Sequence, residues 1–524
     1  MAVPRVTIVG AGLGGPLLGI YLARRGWEVQ LFELRGDLRR EPVNSGRSIK
    51  LTLAERGIAA LRELGLADHV LRSICIPLRG RAVHSGTGEV TYQPYGKDSR
   101  EVIYSFSRNE MNGFLLDVAQ AEPTLRLHFH RRCVEIAKET ATATFRNTRT
   151  GEEERVDADV LIGADGAYSA VRRMMMVRER IDYHQEFLPW GYKELAIAGT
   201  AGGLPPMDRH ALHVWPCGDH MLFALPNVDG SLCGVCTLPF FGPHSFESLA
   251  SDGDVEAMFR THFADALPFM PNAMAEFRSA PVSEFVTVLS SRWHHRGKIL
   301  LIGDAAHSVV PFYGQGMNAA FEDCSILNRL IDRRGTGDWQ ALFAEFQALR
   351  KPHTDVLAQL SIENFHELRD TVRRPVVTAR KRTSIFLNKV FGQYSVPLYT
   401  MISHSTMPYA EAVAHHQRQQ RIARWLGLDL IVGTVSLQVR LRRALQRLRA
   451  GGRGWADAGA GSSARAHGDQ GIGSQGAARR QRAGEQGDHG QAQRESGDRR
   501  RIVGVDAVEE VLGEAAGQGR AGQA

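Results

Sequence analysis

The sequence has no long hydrophobic run. No stretch of its 524 residues approaches the ~20 consecutive apolar residues that a membrane-spanning helix requires. The N-terminus also lacks a basic segment followed by an apolar one, because the apolar residues 6–9 lead directly into a glycine-rich loop. We therefore expect a cytoplasmic protein without a membrane anchor.

Cysteine is scarce, with six in the whole chain. This number indicates reduced thiols rather than a disulfide framework, which again favours the cytoplasm. Cys233 and Cys236 form one C-x-x-C pair, but no second pair accompanies it and it lies in a strand-like run. We therefore expect no metal and no redox role for the pair.

Most of the chain also has almost no excess of positive over negative charge. The net charge is +7, but fifteen arginines and ten acidic residues from Arg440 onward contribute five of these charges. The first 439 residues thus carry only +2. This near-neutral body argues against nucleic acid as a partner.

A strand, a glycine-rich loop, a helix and a second strand open the sequence. The loop reads G-x-G-x-x-G, with Gly10 for the tight turn, Gly12 for close approach of a pyrophosphate and Gly15 for helix packing. Gly14 lies in the same loop, and Glu33 ends the second strand, where an acid can bind a ribose hydroxyl. The pattern predicts a dinucleotide site, and both NAD and FAD fit it.

Two later motifs favour FAD. Asp165-Gly166 and Gly303-Asp304 each follow an apolar strand, and a helix begins at Gly316-Met317-Asn318. Asp304 can bind the ribityl hydroxyls, and the helix can direct its N-terminal dipole at the flavin ring. The alternative for Asp304 is a helix cap. A single NAD site needs only the first motif, so three motifs in this order predict an extended FAD.

The pattern of elements predicts an α/β fold, with a Rossmann-like FAD-binding domain, an inserted antiparallel β-sheet substrate domain and a C-terminal helical region. We expect breaks in the helical region at Pro352, Pro375 and Pro397. The predicted domains are a discontinuous FAD-binding domain (1–75, 104–180 and 295–340), a substrate domain (76–103 and 181–294), a helical region closing the active site (341–449) and a disordered tail (450–524).

The sequence resembles the single-component FAD-dependent aromatic hydroxylases of the 4-hydroxybenzoate hydroxylase type, and within them the kynurenine 3-monooxygenases. The resemblance covers about residues 5–425. Seven segments carry it: GRSI at 46–49, RAVHS at 81–85, PYG at 94–96, DGAYS at 165–169, LPN at 225–227, GDAAHSVVPFYGQGMNAAFED at 303–323 and PLYTM at 397–401.

The resemblance implies which residues bind the substrate and the cofactor. For the substrate, L-kynurenine, it implies Arg81, Tyr95, Asn364 and Tyr399. For FAD it implies Gly10, Gly12, Gly14, Gly15, Glu33, Arg35, Arg47, Thr52, Arg108, Cys133, Asp304, Gly316, Met317 and Asn318. Without the resemblance, Arg47 fits a pyrophosphate contact and a solvated loop equally, while Arg81 and Tyr95 fit a surface cation and a core aromatic.

The resemblance also implies the reaction. NADPH would dock transiently and reduce FAD, O₂ would add as a C4a-hydroperoxide, and the ring of kynurenine would be hydroxylated beside its amine to give 3-hydroxykynurenine. Tyr313 falls near the expected oxygen-reaction edge. Two alternatives are a hydroxylase of another aromatic acid, which need not keep Asn364 and Tyr399, and a non-catalytic binding module of the same fold, which the intact FAD motifs disfavour.

Overall fold

The computed structural model describes residues 3–41, 50–85, 88–98, 100–203, 206–371, 388, 392 and 395–425. Arg47, Pro375 and the predicted tail at 450–524 lie outside these residues. Among the described residues, no helix is long and apolar enough to cross a membrane.

Nineteen strands are assigned among the described residues. They are β1 Arg5–Val9, β2 Glu28–Phe32, β3 Lys50–Leu53, β4 Cys75–Leu78, β5 Gly80–His84, β6 Val90–Pro94, β7 Ile103–Ser107, β8 Leu125–His128, β9 Arg131–Ala137, β10 Thr142–Asn147, β11 Glu153–Val156, β12 Val160–Gly163, β13 Tyr183–Ile197, β14 Ala211–Pro216, β15 Met221–Pro226, β16 Leu232–Pro239, β17 Ser283–Ser290, β18 His294–His295 and β19 Ile299–Leu301.

Twelve α-helices are assigned in the same part of the chain. They are α1 Gly14–Ala23, α2 Glu55–Glu63, α3 Ala67–Ser73, α4 Arg108–Ala121, α5 Ala170–Met176, α6 Asp252–His262, α7 Ala273–Ser279, α8 Asp304–His307, α9 Gly316–Arg334, α10 Trp339–His366, α11 Leu398–Ser403 and α12 Tyr409–Trp425. Short 3₁₀ turns lie at Leu267–Phe269 and Pro311–Tyr313, and a π-helical turn at Glu367–Thr371 follows α10.

The first sheet has the strand order β18-β19-β12-β1-β2-β8 and is parallel except for β18. Its strands β1, β12 and β19 are short, mostly apolar runs, as expected for a sheet covered on both faces. In β1, Val6 and Ile8 are buried and lie in a core shared with α1, α4 and α9. The central position of β1 places the loop that follows it at the carboxyl edge of the sheet, where ligands of such folds bind.

The second sheet has the order β17-β13-β16-β15-β14-β5-β6, and all its pairs are antiparallel except β5 with β14. Side chains alternate between its two faces. Trp215 and Leu222 pack with Phe259 of α6 and Phe277 of α7 on one face. The neighbouring residues of the same strands, such as Val214, face the other way and line a cavity.

Two three-stranded sheets, β11-β10-β9 and β3-β7-β4, complete the β-structure that is described. The predicted fold class is confirmed: a mixed α/β architecture with a largely antiparallel second sheet and a C-terminal helical region. The domain boundaries proposed from the sequence stay a prediction.

The helical region differs from expectation at Pro352. We expected a break there, but α10 runs through it from Trp339 to His366. Arg350, two residues earlier, is buried and bonds Glu322 at 2.6 Å and Asp323 at 2.7 Å on α9. Pro352 has no amide hydrogen, so the helix loses one backbone hydrogen bond there. The contacts of Arg350 hold the helix against α9, and the helix continues despite this loss. Pro397 does precede a helix start, that of α11.

Candidate functional site

One cavity of about 730 Å³ extends from the glycine-rich loop to the inner face of the second sheet. Cavities of this size are typical of ligand sites. It brings together fourteen of the residues that the sequence singled out: Gly10, Gly12, Gly14, Glu33, Arg35, Thr52, Arg81, Tyr95, Arg108, Cys133, Asp304, Gly316, Met317 and Tyr399.

The glycines of the loop have separate geometric roles. Gly10 has a φ of +105°, which favours glycine. A Cβ on Gly15 would lie 1.9 Å from the carbonyl oxygen of Gly10, so α1 can approach β1 only because Gly15 has no side chain. At Gly12 a Cβ would meet no atom within 4 Å. The backbone of Gly12 is therefore open to the cavity, as a close phosphate contact requires.

Glu33 fastens the glycine-rich loop. Its Oε2 accepts a hydrogen bond from the amide of Ala11 at 2.8 Å, and its Oε1 accepts one from Nε of Arg35 at 2.7 Å. The carboxylate is buried and also lines the cavity. Glu33 thus joins the end of β2 to the loop after β1, in addition to any contact with a ligand.

The Asp-Gly motif is chiefly a helix start. Asp165 accepts hydrogen bonds from Oγ of Ser169 and from the amides of Ala170 and Val171, at 2.5, 2.7 and 3.1 Å. Burial raises the pKa of Asp165, although these three bonds favour its charged form. The carboxylate caps α5, and it contributes to the cavity beside Gly166.

Asp304 is the first residue of α8, and its side chain is open to the cavity. The structure gives this carboxylate no hydrogen bond to any described residue. It is nonetheless surrounded by protein atoms, and the resulting desolvation raises its pKa, against the opposing charges of His307 and Arg108. Its oxygens are therefore free to accept hydrogen bonds from the hydroxyls of a ligand.

Asp323, which the sequence analysis did not single out, positions the turn that carries Asp304. Its fully buried Oδ2 accepts hydrogen bonds from the amide of Gly303 at 2.9 Å and from Nε2 of His307 at 2.7 Å. Its Oδ1 accepts from Nε of Arg350 at 2.7 Å. The only sequence signal was its place at the end of the 303–323 segment.

The start of α9 is locked to β3. Asn318 donates to the carbonyl oxygens of Thr52 and Gly314 at 2.8 and 2.9 Å, and its Oδ1 accepts from the amide of Ala54 at 2.8 Å. Thr52 Oγ1 also donates to Gly314. Asn318 is fully buried and does not line the cavity, whereas Gly316 and Met317 do. Asn318 therefore positions its neighbours.

Five arginines line the nucleotide end of the cavity. The sequence named Arg35 and Arg108. The other three, Arg131, Arg132 and Arg173, were missed, although two of them directly precede Cys133. Burial raises the pKa of Cys133 to about 12, so its thiol stays neutral beside these cations. The charge at this end of the cavity suits a bound diphosphate.

The opposite end of the cavity is built around Arg81 on β5. Its guanidinium carbon lies 5.5 Å from the ring centroid of Tyr95 and 5.6 Å from that of Tyr399. The two rings stack at 5.1 Å, and Tyr313 lies 5.9 Å from Tyr399. Arg81 is only 7% exposed, and its Nε has no hydrogen-bond partner among the described residues.

Asn364 lies behind the wall of the cavity. Its Nδ2 donates to the carbonyl oxygen of Phe312 at 2.6 Å, and Phe312 lines the cavity. The structure therefore brings Arg81, Tyr95 and Tyr399 together, and it connects Asn364 to them through the 3₁₀ turn at Pro311–Tyr313.

A family model described as "FAD binding domain" matches residues 4–359. The kynurenine 3-monooxygenase of Salinispora tropica is 44% identical over 447 residues, which are 85% of this chain and 98% of the relative. That of Myxococcus xanthus is 43% identical over 404 residues, or 77% of this chain and 86% of the relative. The chain belongs to the kynurenine 3-monooxygenase family. It is a flavoprotein monooxygenase, and FAD is its cofactor.

Solved structures share the fold of this kynurenine 3-monooxygenase family member. The tetrameric form of 2-methyl-3-hydroxypyridine-5-carboxylic acid oxygenase has a TM-score of 0.57 at 21% identity, covering 73% of this chain and 97% of that one. PqsL of Pseudomonas aeruginosa, in complex with 2-aminobenzoylacetate, has a TM-score of 0.57 at 19% identity, covering 74% of this chain and all of its own.

The residues present fit FAD as this family uses it. The open backbone at Gly12 and the surrounding arginines suit the diphosphate, and the cavity-facing carboxylate of Asp304 suits the hydroxyls of a sugar chain. The N-terminus of α9 reaches the same cavity and adds the positive end of a 19-residue helix. These contacts lie on three separate segments, which an elongated cofactor can join.

Proposed function

We propose that the protein hydroxylates L-kynurenine to 3-hydroxykynurenine, with NADPH as reductant. Overall, one oxygen atom of O₂ enters the ring, the other leaves as water, and NADPH and one proton are consumed. The observation that carries the proposal is the buried Arg81, which lines the same cavity as the FAD loop and whose Nε has no hydrogen-bond partner among the described residues.

Arg81 is placed to bind the carboxylate of an amino acid. A buried guanidinium is costly unless an anion accompanies it, and its planar fork matches a carboxylate. Tyr95 and Tyr399 flank it, and burial raises the pKa of both phenols, so both remain O–H donors at neutral pH. Together they offer a charged fork and two hydroxyls to one end of the substrate.

Apolar side chains are placed to hold the aromatic ring. The same cavity as Arg81 is lined by four apolar residues of the second sheet: Val214, Phe223, Leu225 and Phe285. Such walls exclude water and fix the ring in one orientation. Bound FAD would activate O₂, while these side chains orient the substrate ring and keep water out of the cavity. Asn364 supports the site by holding the carbonyl of Phe312.

We also propose that the protein acts in the cytoplasm. All six cysteines lie among the described residues, and the structure forms no disulfide between them. Four of the six are buried. Thiols of this kind are typical of a reducing compartment. Localisation of the tagged full-length chain by fractionation checks this proposal.

The test of the reaction uses the purified full-length protein. It should absorb as a flavoprotein, and L-kynurenine should accelerate its oxidation of NADPH. Mass spectrometry should find 3-hydroxykynurenine, with one labelled oxygen when the reaction is run under ¹⁸O₂. Acceleration by 4-hydroxybenzoate or salicylate but not by L-kynurenine would overturn the proposed substrate, and a colourless protein would overturn the loading with FAD.

A further inference from the structure

A cluster of metal-ligating side chains lies outside the cavity. The turn between β14 and β15 carries Cys217 and His220, and His262 ends α6. Ligand atoms of these three residues lie within 4.8 Å of one another. Asp219, His220 and His244 form a second group that meets the same distance. We name these five residues the hairpin-turn cluster.

His220 is the centre of the hairpin-turn cluster. Its Nδ1 lies 2.6 Å from Oδ1 of Asp219, and its Nε2 has no hydrogen-bond partner among the described residues. The residue is 1% exposed. A buried ring nitrogen without a partner is costly, because it gave up its hydrogen bond to water. With Nδ1–H donating to the carboxylate, Nε2 carries the lone pair and is free to bind a metal ion.

The carboxylate contact is the feature that separates this group from a chance association of histidines. Histidines that bind a metal through one nitrogen commonly donate the other N–H to a carboxylate, which fixes the tautomer and the ring orientation. Asp219 does this for His220. The ring of His262 lies 4.3 Å from that of His220 in an edge-on arrangement, and His244 lies 5.4 Å from His262.

We propose that the hairpin-turn cluster binds one Zn²⁺ ion through Sγ of Cys217, Nε2 of His220 and a ring nitrogen of His262. Asp219 orients His220, and the exposed His244 or a water fills the fourth position. One thiolate with two or three imidazoles is a ligand set that Zn²⁺ prefers in tetrahedral sites, whereas Mg²⁺ and Ca²⁺ take oxygen ligands. On binding, Cys217 loses its proton to solvent and coordinates as a thiolate.

The ion would connect the hairpin to the helix layer of the second sheet. Met221 follows His220 directly and lines the cavity, and Trp190 donates its indole N–H to the carbonyl of Asp219 at 2.9 Å. Because α6 packs on the opposite face of the sheet from the cavity, the ion would clamp that face and support the cavity wall without touching FAD or substrate.

The experiment uses the full-length, FAD-loaded protein after treatment with a chelator. Zn²⁺ is titrated by calorimetry, and metal content is measured by mass spectrometry. Co²⁺ serves as a spectroscopic probe, because a tetrahedral site with a thiolate ligand gives absorption bands beyond those of flavin. The variants are Cys217→Ser, His262→Asn and Asp219→Asn. Cys233→Ser is the matched control, since Cys233 is equally half-buried in the same sheet but lies outside the cluster.

Wild type and Cys233→Ser should bind one equivalent of Zn²⁺ and show the Co²⁺ bands. Cys217→Ser and His262→Asn should lose that equivalent, and Asp219→Asn should bind about 10- to 100-fold more weakly. Flavin absorbance reports that each variant is folded. The proposal is overturned if wild type binds no Zn²⁺, or if the folded Cys217→Ser and His262→Asn variants bind it with unchanged affinity and unchanged Co²⁺ bands.

Discussion

At the scale of one residue, the proposed recognition of the substrate depends on Arg81. The guanidinium is buried beside two phenols, and its Nε has no hydrogen-bond partner among the described residues. We predict that Arg81→Ala raises KM for L-kynurenine about 10- to 100-fold, because a hydrogen bond to a charged group contributes about 1.5–3 kcal/mol. Steady-state kinetics with a flavin spectrum checks this.

Arg79→Ala is the matched control for Arg81, since Arg79 precedes the same strand but is exposed. It should leave KM within about twofold of wild type, as surface substitutions usually have small effects. FAD should remain bound in both variants. Loss of flavin from Arg81→Ala would contradict the assignment of Arg81 to the substrate.

Gly12 and Gly15 allow packing to be separated from cofactor binding. A Cβ at Gly15 would collide with a backbone oxygen, whereas one at Gly12 would enter open cavity. We predict that Gly15→Ala lowers the free energy of unfolding of the apoprotein by about 1–3 kcal/mol. Gly12→Ala should leave that quantity nearly unchanged but weaken FAD binding about tenfold or more. Denaturant unfolding measures the first effect and FAD titration the second. Equal losses of stability and of FAD affinity in the two variants would contradict the different surroundings of Gly12 and Gly15.

At the scale of elements, Asp323 joins α9, α10 and the turn before α8. It bonds Gly303, His307 and Arg350, all within the core. We predict that Asp323→Asn lowers the free energy of unfolding by about 3–5 kcal/mol, because it leaves the charge of Arg350 short of a partner. Glu345→Gln is the control. Glu345 pairs with Arg333 and Arg334 at the surface, and its loss should cost at most about 1 kcal/mol.

The same contacts give the stability a defined dependence on pH. Burial alone would raise the pKa of Asp323, but the charges of His307 and Arg350 outweigh it and lower the pKa. The contribution to stability is therefore fully present above the unfolded pKa of about 3.9 and is lost as the pH falls through the lower folded value. Asp323→Asn lacks this contribution, so its stability should fall less steeply in acid than that of wild type.

Local patterns predicted the elements well where one segment decides the outcome. The strand-loop-helix at 6–23 follows from apolar runs and glycine positions, and Asp304 follows from its place after a strand. Pro352 and Asn318 were different. The helix continues past Pro352 because Arg350 has partners on α9. The side-chain amide of Asn318 is already hydrogen-bonded to the backbone of Thr52, Ala54 and Gly314. These outcomes depend on residues distant in sequence, which periodicity does not reveal.

At the scale of the whole molecule, FAD contacts would link segments that are far apart in the chain. The cavity takes residues from the glycine loop, from the turn that follows β12 and from the start of α9. We predict that FAD raises the midpoint of thermal unfolding, with about 2.7 kcal/mol of added stability at a free concentration of 100 Kd. Calorimetry of the apoprotein with and without FAD measures it. A shift as large in Gly12→Ala as in wild type would contradict the proposed loop contact.

The arrangement of the second sheet has a consequence for altering specificity. Among the residues that the structure describes, the β5–β6 hairpin pairs with the rest of the sheet through the parallel contact of β5 with β14 alone, and β6 is an outer edge. Arg81 is carried on this hairpin and Tyr95 directly follows it. In the binding mode proposed above, the polar end of the substrate is therefore bound by this edge hairpin, and the aromatic end by residues of β14, β15 and β17. Replacing the β5–β6 hairpin with that of another hydroxylase would therefore change which polar groups of a substrate are accepted. The residues at the FAD end of the cavity would stay the same.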